Sequence, residues 1–232
     1  MTKSSQTHTQ NSRQGQRLER ERRQAVHERS RWLWIGAGLI GVLVVGVILL
    51  STHSTSQADD SEQPKADRAL GPATARVTIV EYGDFGCPTC RAWHNADILN
   101  QIRARYGDKV RFVWRDFPVI TAQSPKAAEA AQCAHDQGKF WEYHDTLFAR
   151  APVLDVDSLK SYASIVGLDA ARFGQCLDSG QHSASVDRDL KDALARGFRG
   201  TPSFLVNDRP LAGPPSFDTL QRLIDPILAA GG

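Results

Sequence analysis

The chain has 232 residues, 41% apolar and 23% charged, which excludes wholesale disorder and collagen-like or coiled-coil architecture and suits one ordinary domain with appendages. Its net charge of +2 conceals a split, because residues 1–31 carry +5, residues 32–50 none, and residues 51–232 a mild −3. A basic tail on a slightly acidic body excludes a main domain built to bind nucleic acid.

Residues 1–31 read as a basic cytoplasmic tail. Trp32 to Leu50, WLWIGAGLIGVLVVGVILL, is an unbroken apolar run. As a helix it would be about 28 Å long, which fits the hydrocarbon core of a bilayer. It is apolar all round, whereas a helix of a soluble core keeps a polar face, so residues 32–50 are predicted to be a transmembrane helix. Arg20, Arg22, Arg23, Arg29 and Arg31 precede it and Asp59, Asp60 and Glu62 follow. The positive-inside rule then places the protein in the cytoplasmic membrane as a single-pass anchor, N-terminus inside and C-terminal domain extracytoplasmic. A cleavable signal peptide, with small residues at Ser54 and Ser56, is the alternative, but the apolar run exceeds the usual h-region. Membrane lipid, met through residues 32–50 and the tail's charge, is an expected partner and nucleic acid is not. Gly36-Ala-Gly38-Leu-Ile-Gly41 fits G-x-G-x-x-G, yet it lies inside the span, away from any strand-to-helix turn that could hold a pyrophosphate.

Residues 51–72 have few apolar side chains and no periodicity, so they read as a flexible linker with a root-mean-square span of about 26 Å. The folded domain is expected over residues 73–232. RVTIVE (76–81) is a buried central strand by its β-branched run, and a helix follows from Pro88 or Thr89 to Tyr106, stopped by Gly107. VRFVWRDF (110–117) is a second strand, ended by Pro118. About eighty residues of helical pattern come next, including 124–136, 139–150 and three shorter segments, with Asp157 and Asp169 as N-caps and Gly180 and Gly197 as stops. Strands resume at 203–206 and 210–211 around Asn207-Asp208, a composition suited to a tight hairpin, and an amphipathic helix at 217–228 closes the chain. This order predicts one α/β domain interrupted by a helical insertion over about 121–197.

Four cysteines occur, and two form Cys87-Pro88-Thr89-Cys90 where the first strand gives way to the first helix. There Cys87 would face the first-turn amides and the positive end of the helix dipole, both of which favour a thiolate. Pro88 suits the first helical position, and Cys90, one turn deeper, should be shielded. An accessible sulfur with a buried resolving partner is what reversible disulfide exchange requires. The alternatives carry less. Zinc needs two more ligands, and Cys133 and Cys176 are isolated singles. A purely structural bridge across three bonds closes too short a loop to be useful. A Cys-His hydrolase would need His94 or His144, which fall on helical stripes where histidine is usually packed or solvated.

Three segments in the same order resemble the DsbA-like thiol-disulfide oxidoreductases, especially membrane-anchored bacterial ones: VTIVEYGDFGCPTC, GKFWEYHDTLF and GFRGTPSFLVN. The resemblance covers about residues 70–232 and implies an α/β thioredoxin fold with an inserted helical domain, here preceded by the transmembrane helix. It further implies that Cys87 and Cys90 are the catalytic pair, with Pro88 and Thr89 the active-site dipeptide. Thr201-Pro202 would be the cis-proline loop that binds substrate, and Glu81 the buried acid that exchanges a proton with Cys90. A surface position at the strand edge is the other reading of Glu81. The Pro-Thr dipeptide departs from the Pro-His of the strongly oxidising type, because a threonine hydroxyl cannot become cationic, which leaves the net direction of electron flow open. Cys133 and Cys176 both fall in the insertion and would face an oxidising compartment, so a structural disulfide between them is expected, as in some family members, with two unpaired buried thiols as the rival. The implied function is oxidation of exported proteins with free cysteines, reset by a DsbB- or VKOR-like membrane redox partner, with no cofactor and no metal. A reductase or isomerase of the same fold, or a metal-binding module, are the competing readings.

Overall fold

Residues 68–230 are described by the computed structural model. The basic tail, the expected transmembrane helix at 32–50 and most of the linker lie outside them. Among the described residues no helix is long and apolar enough to cross a membrane. Regular structure is already present before the expected boundary at residue 73, because strand β1 (Ala69–Leu70) pairs antiparallel with Val113 and Phe112. Only two residues long, it carries no period a sequence could reveal.

Strand β2 (Val77–Gly83) leads through the cysteine loop into helices α1 (Pro88–Asn95) and α2 (Ile98–Tyr106), and then strand β3 (Val110–Asp116) returns parallel to β2. The single helix expected over 88–106 is two. Asp97 takes a left-handed backbone (φ 57°), and the amides of Ala96 and Asp97 close the first helix on the carbonyls of Ala92 and His94. Aspartate tolerates that conformation better than most residues, and the apolar spacing on either side hides the break.

Five helices occupy the interval before the next strand: α3 (Ser124–His135), α4 (Phe140–Arg150), α5 (Val156–Ile165), α6 (Ala170–Ser179) and α7 (Ser183–Ala195). Asp169 caps α6 by accepting from the Arg172 amide, and Gly180 ends it in the left-handed region. The cap of α5 is Asp155, which accepts from Ser158, not the expected Asp157, which lies inside the first turn. Strands β4 (Ser203–Val206) and β5 (Arg209–Pro210) and helix α8 (Phe217–Ala229) complete the domain. The sheet order is β1-β3-β2-β4-β5, with β4 antiparallel to β2.

Because strand side chains alternate between faces, Val77, Ile79 and Glu81 share one face of β2 while Val80 and Tyr82 share the other. On the first face Val77, Ile79, Phe112, Phe204 and Val206 form a core with Ile98 and Ile102 of α2 and Leu220 and Ile224 of α8. On the second, Tyr82, Phe117 and Leu205 pack with Ala193 of α7. A third core lies within the insertion and runs from Phe173 and Leu177 through Tyr143 and Leu147 to Phe85, Trp114, Cys87 and Cys90. The insertion therefore packs against the cysteine pair.

A buried polar network locks the insertion to the sheet. Asp116 accepts from Trp114 Nε1 (2.8 Å) and from Gln132 Nε2 of α3 (2.7 Å), and pairs with Arg68 at 3.2 Å. Arg68 also meets Asp189 of α7, whose carboxylate accepts the Asp116 amide. Trp114 in turn dictates Gly83 across the sheet, since a Cβ there would come within 2.2 Å of its ring.

Candidate active site

Cys87 is the N-cap of α1, and its Sγ accepts from the Cys90 amide at 3.3 Å. A side chain at this position can satisfy an amide left unpaired by the helix, and the helix dipole adds to the attraction for negative charge. Pro88 follows in the first turn. Both cysteines are free thiols. The Cys87 thiol is lowered to about 5, first by the hydrogen bond from the Cys90 thiol and then by the Thr201 hydroxyl and the amides of Cys90 and Thr89, against an opposing push from burial. Cys90 moves strongly the other way, raised by burial, by its bond to Cys87 and by the nearby charge of Glu81. At neutral pH one sulfur is a thiolate and its neighbour a thiol. Mechanistically this asymmetry suits exchange, since a low-pKa sulfur leaves readily and a high-pKa one takes up a proton as it is released.

Cys87 is less accessible than expected. It is 3% exposed, although Pro88 and Thr89 beside it are exposed. The cover is the loop before β4, where the carbonyl oxygen of Thr201 lies 3.3 Å from Sγ and the Thr201–Pro202 peptide is cis. The Thr201 hydroxyl is buried without a hydrogen-bond partner of ordinary geometry. Thr201 and Pro202 thus reach the cysteines from 111 residues or more along the chain, through the pairing of β4 with β2.

Glu81 is buried (3% exposed), which removes the surface reading. Its carboxyl is raised well above the ordinary range by burial and, secondarily, by the charge on Cys87. The position follows from strand parity, which turns Glu81 to the same face as Val77 and Ile79. Replacement by glutamine is therefore expected to have opposite effects on stability and turnover. A carboxyl whose folded pKa exceeds its unfolded value contributes stability at low pH that is lost as pH rises from about 4.3 through the folded pKa. Glu81→Gln should thus be the more stable protein at pH 8 in urea melts and equal to wild type near pH 4, while turnover in disulfide exchange falls by about tenfold or more. Equal stability at both pH values would show that the carboxyl does not titrate in the core.

Two further groups escaped the sequence reading. Asp84, buried between β2 and the cysteines, accepts from the Gly86 amide (2.7 Å) and from the amides of Val119 and Ile120 (2.8 Å each). It ties the cysteine loop to the segment leaving β3. The only signal was local, an aspartate two residues before a glycine, the composition of an Asx turn. Arg91 of α1 donates to the Ala151 carbonyl at 2.6 Å and fixes the active-site helix to the insertion. Pairing of Cys133 with Cys176 is present, joining α3 to α6. His144 is buried among Phe85, Trp114 and Phe148, with its proton affinity lowered by that burial, and His94 stacks on Phe148.

Comparison with known proteins follows the same lines. The family described as thioredoxin matches residues 63–226. A thioredoxin-like oxidoreductase from Silicibacter pomeroyi DSS-3 is 30% identical with a TM-score of 0.64, over 72% of this chain and 95% of that one. Oxidised BdbD from Bacillus subtilis is 25% identical with a TM-score of 0.65, over 70% and 93% of the two chains. Among curated proteins, the Na(+)/H(+) antiporter NhaA of Herminiimonas arsenicoxydans is 39% identical over 72% of this chain but only 26% of its own length. The chain spans about a quarter of the curated relatives it matches.

Proposed function

Given that the chain belongs to the thioredoxin family, in its DsbA-like branch of thiol-disulfide oxidoreductases, we propose that it is a membrane-anchored, extracytoplasmic enzyme that forms disulfides in exported proteins. A substrate thiolate attacks Cys87 of the Cys87–Cys90 disulfide, forming a substrate–Cys87 bond and releasing the Cys90 sulfur, which takes a proton. A second substrate thiolate attacks the substrate sulfur of that mixed disulfide and releases Cys87 as a thiolate. Two electrons pass to the cysteine pair. Of the two substrate protons one is retained on Cys90, and the other goes to solvent at neutral pH. Glu81 supplies the proton to Cys90 and recovers it through solvent. Thr201 and Pro202 hold the substrate backbone in an extended pose beside Cys87. The apolar run at 32–50 is the anchor, and a quinone-linked membrane protein of DsbB or VKOR type reoxidises the pair.

The observation that carries the reading is the placement of Cys87, whose Sγ caps the start of α1 by accepting from the Cys90 amide at 3.3 Å beside the Thr201–Pro202 loop, a setting that lowers its thiol to about 5. A stabilised thiolate favours the reduced protein and so makes the disulfide a better oxidant. Redox equilibration against glutathione from pH 4 to 8 tests it. The potential should lie well above thioredoxin's, which is about −270 mV. It should fall by about 30 mV per pH unit above pH 5, where reduction takes up one proton per two electrons, and about twice as steeply below, where it takes up two. A potential near −270 mV would assign the protein to reduction instead, and a steep slope up to pH 8 would show an ordinary thiol at residue 87.

A further inference from the structure

His94, His144 and Asp145 converge outside the redox chemistry described above. His94 stands on α1 one turn beyond Cys90, and the other two on α4 of the insertion. His144 Nδ1 is 2.9 Å from Asp145 Oδ1, His94 Nε2 is 3.9 Å from the same oxygen, and the three donor atoms lie within 4.8 Å of one another. Donors bound to one transition-metal ion at about 2.0 to 2.2 Å are separated by roughly 3 to 4 Å, so small rotations of the partly exposed His94 and exposed Asp145 close the set.

The His144 ring gives the arrangement a reason. It is 3% exposed, its Nε2 has no hydrogen-bond partner, and Trp114, Phe148 and Phe85 surround it at centroid distances of 4.8, 4.9 and 5.6 Å. The ring's hydrogen bonding therefore falls on Nδ1, and whichever tautomer it adopts leaves a mismatch. With the proton on Nδ1, a lone pair at Nε2 is buried unmet. With the proton on Nε2, that N–H can rest on aromatic faces, but a lone pair then confronts the Asp145 carboxylate. A cation between Nδ1 and the carboxylate removes the second conflict.

On its outer side the cluster opens into a cavity of about 170 Å³ lined by His94, Asp145, Asp97, Asn100, Arg103 and Trp141, room for water to complete the coordination. We propose that His94, His144 and Asp145 form a binding site for a divalent transition-metal ion of the zinc, cobalt or nickel kind, clamping the active-site helix to the insertion. Two imidazoles and one carboxylate suit such ions, whereas calcium and magnesium require more oxygen donors.

The test uses the full chain with both disulfides formed, so that no thiolate competes. Titration with Co(II) should give a saturable visible absorption at one ion per chain, and Zn(II) should displace it. His94→Gln and Asp145→Asn alter accessible side chains outside the hydrophobic cores, and each should weaken binding at least about tenfold. Zn(II) should raise the melting temperature of the wild type and leave that of His94→Gln unmoved. No saturable Co(II) spectrum, or one unchanged in His94→Gln, would overturn the proposal. Either result is independent of disulfide exchange, which is measured separately.

Discussion

Replacing Cys87 with serine is expected to reduce disulfide exchange by at least about a thousandfold; Cys90→Ser, which cannot form the active-site disulfide, loses oxidation of client thiols but lets the Cys87 thiolate attack a client disulfide, and with no resolving thiol the mixed disulfide accumulates. The difference follows from the burial and ionisation of the two sulfurs. Cys87 sits at the helix N-terminus with its thiol lowered to about 5, so nearly all of it is thiolate at pH 7. Cys90 is fully buried and raised, so it reacts only with the sulfur already held beside it. Non-reducing electrophoresis with a disulfide-containing client separates the outcomes, since attack by Cys87 forms the mixed disulfide and releases the other client sulfur as a thiolate, and alkylation supplies a control. At pH 6 the reduced wild type should be modified at Cys87 far faster than at Cys90. Comparable rates, or full exchange by Cys87→Ser, would remove the assignment of the nucleophile. The pH dependence of reduced-state stability has a fixed sign. A folded pKa below that of an ordinary thiol gives stability present above the unfolded value, about 8.5, and lost as pH falls through about 5.

The second large effect is on stability. Cys133→Ala with Cys176→Ala removes a bridge between residues 43 apart, both buried, joining α3 to α6. The chain-entropy relation gives about 4 kcal/mol for a loop of this length, which corresponds to a melting temperature lower by roughly 8 to 16 °C for a domain of this size. The buried network of Arg68, Asp116, Gln132 and Asp189 still holds the insertion to the sheet. Exchange at Cys87 measured well below the new melting temperature should therefore remain within about twofold of wild type. Calorimetry of the oxidised proteins checks the first figure, and a loss below about 1 kcal/mol would show that the denatured chain was already compact.

Local chemistry was legible in the sequence because it is decided within a few residues. The β-branched run at Val77 to Val80, the proline after Cys87 and the aspartate before α6 each act on amides or side chains up to four positions away. The cysteine pair and its place at a strand-to-helix turn could be read directly. Glu81 entered only through the family resemblance, and its burial was left open. The break at Asp97 was not legible, since one left-handed residue changes a helix axis without disturbing the spacing of its apolar positions. Asp84 was missed because two of its three amide donors, at Val119 and Ile120, lie beyond β3. The asymmetric pair of cysteines at a helix start is what the sequence determined by itself. Only the tertiary structure decided that Thr201 closes over Cys87, that Glu81 is desolvated, and that two histidines from separate helices meet at one carboxylate. Burial and long-range electrostatics sum over neighbours brought together by sheet pairing and helix packing, and no local stretch of sequence carries that sum.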